Sequence, residues 1–411
     1  MQEKSLHTAA TMAAHVTQAR TPQSWTLWVG FILVSLNLRL IFATVGPLLQ
    51  NLELGATSTL LVSALPVALL GLFSIPGVRL RQWLGEERAL FLALALLSVG
   101  CGARWFGEPG LILGTVLGSA GIAVMNVIMP ALARKRFDPQ RIGIVMGIYA
   151  LMLGVGAVLG ASVSFPLFQL MGEDVGAAYR SLGLWAIPAM LALVFWLPQL
   201  RKHSQLPHSA VNGPAGVNSA PVVNVYRSGM AWSITLFFGL QALNLYVFLP
   251  WMPTILMDRG ATQVTAAMVF SASQVSLMVA SFATPLLASR RRDQRPYIVM
   301  TVLLCLIGTL GLKFGSVGSA MLWALLLGFG QGAGPSLGAF LFVAKAASID
   351  TATRISAMAQ TIGYLIAAAG SLLVGTIYHH TGDWNVPIVL LACILAIELI
   401  VSLPAGRNVK I

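Results

Sequence analysis

The chain alternates long apolar runs with short polar breaks. Runs rich in Leu, Val, Ile, Ala, Gly and Phe recur at 25–49, 58–77, 88–104, 109–132, 141–166, 178–198, 230–252, 263–287, 297–314, 319–343, 355–378 and 385–404. Each is close to the roughly 20 residues that a helix needs to cross the hydrocarbon of a bilayer. The pattern predicts twelve membrane-spanning helices. One break is longer than the rest: 199–229 carries Arg201, Lys202, His203 and His208 and then Asn, Gly, Pro and Ser. It reads as a linker between a six-helix bundle at 25–198 and a second at 230–404. Residues 1–24 are polar, lack an apolar core and read as a tail rather than a secretory signal. Residues 405–411 read as a second tail.

Charge gives the chain an orientation. With both termini cytoplasmic, the tails, the linker and the even-numbered loops hold twenty of the 25 Lys and Arg residues. The opposite loops hold Arg104, Arg180, Arg259 and Lys313, and Arg39 lies inside the first helix. Such an excess is the positive-inside signature. Acidic residues divide evenly between the sides, with Glu398 alone inside a helix.

The two halves also echo each other. Ser24-Trp25 opens helix 1 and Leu36-Asn37-Leu38 follows; Ala231-Trp232 opens helix 7 and Leu243-Asn244-Leu245 follows at the same spacing. Pro76 and Pro285 each precede a basic loop, and Arg141-Ile142 and Arg354-Ile355 open helices 5 and 11. A repeat in this order describes two bundles related by an axis along the membrane normal, with the expected site between them near mid-membrane.

Composition agrees. Hydrophobic residues make up 57% of the chain and charged ones 9%, against about 25% charged in soluble domains, which argues against a water-soluble enzyme. The net charge of +12 follows from topology and needs no nucleic-acid partner. Cys101, Cys305 and Cys393 lie in apolar runs without a CxxC or Cys/His cluster, so neither zinc nor a disulfide framework is expected. The glycines of helix 5 (Gly154, Gly156, Gly160) and helix 10 (Gly328, Gly330, Gly332, Gly334) lack the preceding strand and Lys-Ser/Thr end of a nucleotide loop. They read as close helix packing. No cofactor is expected.

At this point the chain resembles the major facilitator superfamily, whose 6+6 plan residues 25–404 fit. The stretch Pro76-Gly77-Val78-Arg79-Leu80 through Gly85-Glu86-Glu87-Arg88 resembles a degenerate form of that superfamily's basic loop, without its usual Gly-x-x-x-Asp start. That departure argues against an Asp–Arg latch at this loop. A narrower resemblance is to the cyanate permease and 2-nitroimidazole exporter family. It rests on Leu38-Arg39, Asn126-Val127 with Pro130 and Lys135-Arg136-Phe137, Gly147-x-Tyr149, Trp251-x-Pro253, Met358-Ala359-Gln360 with Gly363-Tyr364, and Asp383-Trp384-Asn385-Val386-Pro387. The Gly that usually precedes the Asn-Val pair is Met125 here. The resemblance implies helices 1, 4, 7 and 10 around a central cavity, flanked by 2, 5, 8 and 11.

Arg39 is the most informative residue. It lies 14 positions after Trp25, about 21 Å along a helix. A cation at such depth costs about 2.5–3.5 kcal/mol or more. Snorkelling to the headgroups or a structural pairing with carbonyls would relieve it; so would a substrate anion, which the planar guanidinium binds in bidentate fashion. Gln241 and Asn244 share one face of helix 7, and Tyr246 points about 200° away from Asn244. Gln360 and Tyr364 share one face of helix 11. Asn126, Gln274 and Gln331 are lone polar residues in apolar runs, and so is Tyr149. Interhelical hydrogen bonding is the bland alternative for each. Glu398, near the basic end of helix 12, is either a coupling carboxylate or a residue reaching the interface.

The candidate substrate-binding set is therefore Arg39, Asn126, Tyr149, Gln241, Asn244, Trp251, Gln360 and Tyr364, with Arg39 holding the anion and Tyr149 and Trp251 as apolar walls. The expected function is secondary active transport of a small organic or inorganic anion, cyanate-like or a carboxylate, by alternating access in a bacterial inner membrane. Export of a neutral or nitro-aromatic compound, with Arg39 structural, is the nearest alternative. A membrane ligand sensor without net flux is the alternative of another class. The expected partners are the small solute and the lipid bilayer, and the expected state is a monomer.

Overall fold

The computed structural model describes residues 25–203 and 224–411. The expected tail 1–24 and residues 204–223 of the expected linker lie outside the described residues. The described chain is built from helices: α1 (Trp25–Ala43), α2 (56–84), α3 (86–103), α4 (Gly107–Arg136), α5 (Ile142–Leu170), α6 (Val175–Leu184 and Ala186–His203, interrupted at Trp185), α7 (Gly229–Asp258), α8 (Gln263–Ala288), α9 (Arg295–Phe314), α10 (Ala320–Ala344), α11 (Ile349–Thr381) and α12 (Asn385–Val401). The stretch 65–136 runs together as one continuous apolar-rich span, but it is several times too long for one crossing. It divides at Gly85, whose φ of 78° only glycine adopts without strain, and again at Arg104–Gly107. That division brings the described spans to twelve.

Several boundaries differ from expectation: α1 ends at Ala43, α6 enters the expected linker as far as His203, α7 runs on to Asp258, and α11 starts at Ile349. Residues 78–84, read as loop from their arginines, continue α2 as helix. Of the two arginines, Arg79 is exposed to solvent and Arg81 is buried, bonding Glu86 at 2.9 Å and Asp350 at 2.5 Å. With one charge solvated and the other paired, the helix outlasts its apolar run.

Packing follows a two-fold scheme. In the first half α1 lies along α5, α3 along α4, and α6 along α3. In the second, α7 lies along α11, α9 along α10, and α12 along α9. The halves meet through α2 against α11 and α5 against α8, pairs that exchange when the halves are interchanged. Glycines allow the close approaches. A Cβ at Gly156 or Gly160 of α5 would strike the Leu36 or Leu40 carbonyl of α1, and one at Gly328 or Gly332 of α10 would strike the Ser273 or Leu277 carbonyl of α8. Outward faces carry Val158, Leu191, Val194 and Ile397, all exposed, as a chain solvated by lipid requires.

Two arginines of the non-basic loops prove to be helix caps. Arg104 was expected in a loop but is buried, donating to the Ile41 carbonyl at 3.2 Å and to Thr44 Oγ1 at 3.4 Å. Arg259 likewise donates to the Leu312 and Gly315 carbonyls at the end of α9. The last carbonyls of a helix lack intrahelical partners and carry negative partial charge, so a cation there is stabilised.

Candidate functional site

Arg39 stands near the end of α1, seated by the α1–α5 contact at Gly156 and Gly160. It is half-buried. It has no hydrogen-bond or carboxylate partner among the described residues. Instead it lies within electrostatic reach of three phenols: Tyr149 of α5, Tyr246 of α7 and Tyr364 of α11. The Tyr246 ring faces the guanidinium, 5.8 Å from Cζ to the ring centroid, within the range of a cation–π contact. Arg39 and Tyr149 come from the first half and Tyr246 and Tyr364 from the second, so this group lies between the halves.

The neighbouring aromatic residues are themselves held. Tyr149 donates to Asn126 Oδ1 at 3.3 Å, and its ring lies 6.4 Å from Phe31. Tyr364 meets Phe238 edge-on at 5.6 Å and Tyr246 edge-on at 6.5 Å. Below them, Gln360 Nε2 of α11 donates to the Asn126 carbonyl of α4 at 2.9 Å and to Ser356 Oγ at 2.8 Å. The first of these bonds joins the two halves. Gln360 Oε1 is buried without a partner among the described residues. Arg39, Tyr149, Asn126, Gln360 and Tyr364 thus form one connected group.

Three expected members stand elsewhere. Gln241 is fully buried on the far side of α7, where its Nε2 donates to Glu398 Oε1 of α12 at 2.9 Å and its Oε1 faces Cys305 of α9. Asn244 turns towards α10, where Gln331 donates to its Oδ1 at 3.0 Å. Trp251 packs at a tilt near the non-basic end against Tyr378 at 5.6 Å and Trp384 at 5.2 Å. The helical period correctly set Gln241 and Asn244 opposite Tyr246, but it was the Tyr246 face that turned to the gap. A buried amide in an apolar medium is costly without a partner. Within one half both amides find partners on neighbouring helices. A phenol tolerates an apolar wall and a wet one alike. Tyr246 was therefore missed; its spacing from Asn244 was readable, the identity of the inner face was not.

Glu398, expected either in coupling or at the interface, is fully buried against Gln241 and is not part of the Arg39 group.

The basic end closes the gap between the halves. Arg81 of α2 reaches Asp350 at the start of α11, and Arg354 bonds the same carboxylate at 2.6 Å. Lys135 bonds Glu86 at 2.8 Å and Arg136 bonds Glu87 at 2.6 Å. Arg134 of α4 crosses to cap α10, donating to the carbonyls of Val343 and Ala347 at 3.0 Å each and to that of Ala346. A latch is thus present despite the missing Asp of the usual motif, with Asp350 supplying the carboxylate from the other half.

Residues 27–371 match the profile of the Major Facilitator Superfamily. The 2-nitroimidazole transporter of Escherichia coli K12 is 34% identical over 392 residues, covering 94% of this chain and 96% of that one. The cyanate transport protein CynX of the same organism is 27% identical over 359 residues, 86% of this chain and 90% of that one. The crystal structure of the human organic anion transporter MFSD10 superposes with a TM-score of 0.70 over 93% of this chain and all of that one; at 15% identity it speaks for the fold alone. Twelve apolar helices in two pseudo-symmetric bundles, a latch at the basic end and a profile match across both halves lead to one conclusion: the chain belongs to the Major Facilitator Superfamily and is a multi-pass membrane transporter.

Proposed function

We propose that the protein is a secondary carrier of a small, flat anion, moved across a bacterial inner membrane by rocking of the bundles 25–198 and 230–404 about the Arg39 group. The observation that carries this reading is Arg39 itself: a cation deep between the halves, with no carboxylate or hydrogen-bond partner among the described residues. A guanidinium so placed keeps its in-plane N–H donors for a solute with two oxygens or a terminal heteroatom. Asn126, Gln360 and the three phenols line its approach, and the buried, unpartnered Gln360 Oε1 offers an acceptor once the bond to Asn126 breaks. On this reading the basic end faces the cytoplasm, both termini lie there, and the latched state opens to the outside.

A second reading has its own observation. An aromatic ring lies against the guanidinium face, and a nitro group presents the same flat oxygen pair as a carboxylate without its net charge. A nitro-aromatic solute, as in the name of the Escherichia coli relative, suits the group on those grounds. Flux of labelled cyanate, benzoate and 2-nitroimidazole into proteoliposomes, wild type beside Arg39→Gln, tests both. Transport of an anion that the variant loses supports the first reading. Transport of 2-nitroimidazole alone supports the second. Unchanged anion affinity in the variant sinks the anion reading, and no flux above empty liposomes sinks both.

A further inference from the structure

The three phenols around Arg39 are not equivalent. Tyr149 is 5% exposed and Tyr364 is 7% exposed. The first is bonded to Asn126 and lies near Phe31; the second is wedged between Phe238 and Tyr246. Tyr246 is half-buried. Its hydroxyl makes no hydrogen bond to the described residues; its ring lies under the Arg39 guanidinium carbon and edge-on to Tyr364, with its apolar body against the core. It is thus the least anchored ring of the group, and it reaches Arg39 from the opposite half of the molecule.

A guanidinium has two kinds of surface: an edge bearing its N–H donors and two faces that favour π-systems. The Tyr246 ring is turned to the Arg39 guanidinium, and the N–H donors of Arg39 make no hydrogen bond among the described residues. A solute whose oxygen pair takes the edge in bidentate fashion lies in the plane of the guanidinium. Any ring joined to that oxygen pair continues the plane outward, alongside the Tyr246 ring. A linear three-atom anion ends before it gets there.

We infer that Tyr246 is the specificity residue of the carrier, a stacking wall that favours solutes in which a flat ring bears a carboxylate or nitro group over linear anions that the same arginine can hold. The inference rests on the reading of Arg39 as the docking cation and adds the class of solute body. It also gives Tyr246 a place in closure. A ring solute held by Arg39 of one half and covered by Tyr246 of the other ties the halves together through itself.

The test uses the full chain in detergent, with affinities for cyanate, benzoate and 2-nitroimidazole measured by calorimetry or thermal shift in the wild type, Tyr246→Leu, Tyr246→Phe and Arg39→Gln. Leucine removes the ring and keeps apolar bulk. Tyr246→Leu is expected to weaken at least one of the ring-bearing probes about tenfold and cyanate less than twofold, with Tyr246→Phe restoring the ring-bearing probe. Equal loss of all probes in Tyr246→Leu would reduce Tyr246 to a prop for Arg39, and no loss would remove it from the site; either overturns the inference while leaving the anion reading intact. Full affinity for the anions in Arg39→Gln overturns the anion reading by itself. Failure of every probe to bind the wild type overturns both.

Discussion

Two groups of cations in this chain are treated in opposite ways. At the basic end each described cation of the latch has been matched: Arg81 to Glu86 and Asp350, Lys135 to Glu86, Arg136 to Glu87, Arg354 to Asp350, and Arg134 to three carbonyls. Between the halves Arg39 has, among the described residues, aromatic rings around it and no ion pair. Water and headgroups at the end of the helices would have solvated the first group at little cost, yet it is paired. The deeper position, where an unpaired charge is most expensive, is left open. The difference separates charges satisfied within the protein, some of them across the halves, from a charge that on the proposed reading is kept for the solute.

That contrast can be broken most decisively at Arg39. Arg39→Gln is expected to weaken binding of an anionic solute about a hundredfold, the loss of a charged bidentate contact worth roughly 3 kcal/mol. The melting temperature should hold or rise, because the variant removes an uncompensated cation. A melting loss as large as that of a latch variant would show Arg39 to be structural.

Glu398→Leu comes next. It strands Gln241 Nε2, which is fully buried, at a cost of about 1–3 kcal/mol. Glu398→Gln keeps a partner for Gln241 and should cost less than the leucine variant. Denaturation midpoints of the two variants check the order. Solute binding should follow neither, since this pair faces away from the Arg39 group; a selective loss of binding would redraw the boundary of the site.

Arg81→Ala should cost roughly 1 kcal/mol, because Lys135 still holds Glu86 and Arg354 still holds Asp350, and Asp350 is partly exposed. Its clearer sign is kinetic. Amide exchange at the start of α11, around Asp350, should quicken as the halves separate at the basic end. Unchanged exchange would show that Arg134 suffices as the latch.

The smallest effect belongs to a pair that spans nothing. The Arg295 guanidinium bonded to Asp293 holds its carboxyl at about 2, below the ordinary aspartate value of about 3.9. The stabilisation is therefore present above pH about 4 and lost as pH falls through about 2. Both side chains are exposed, so solvent screens the pair. Melting temperatures of wild type and Asp293→Asn should converge as the solution is acidified; a gap that persists at low pH would assign the pair another role.

Much of this was legible before any fold was known. Twelve apolar runs, the internal repeat and the lone Arg39 are written in residue type and spacing. Asn126, Tyr149, Gln360 and Tyr364 could be named because polar groups in apolar runs demand partners. Gln241 and Asn244 were named on the same ground and found their partners elsewhere, at Glu398 and Gln331; Trp251, named as an apolar wall from the family motif, lies among the rings at the non-basic end. The latch escaped because its carboxylate, Asp350, lies 269 residues from Arg81, and the continuation of α2 to Gly85 escaped because it depends on that pairing.

Residue order alone shows a chain that lies in a bilayer as two related six-helix halves, with one exceptional cation inside its first helix. Length of apolar run, repetition and the cost of an isolated charge are properties of the chain read in order. Only the tertiary structure decided which face of each helix meets the gap, and so that Tyr246 rather than Gln241 or Asn244 stands beside Arg39. In water an apolar stripe marks the inner face of a helix. In lipid both faces are apolar, because the tails outside are as hydrophobic as the core within, and the inner face is set by how the helices pack.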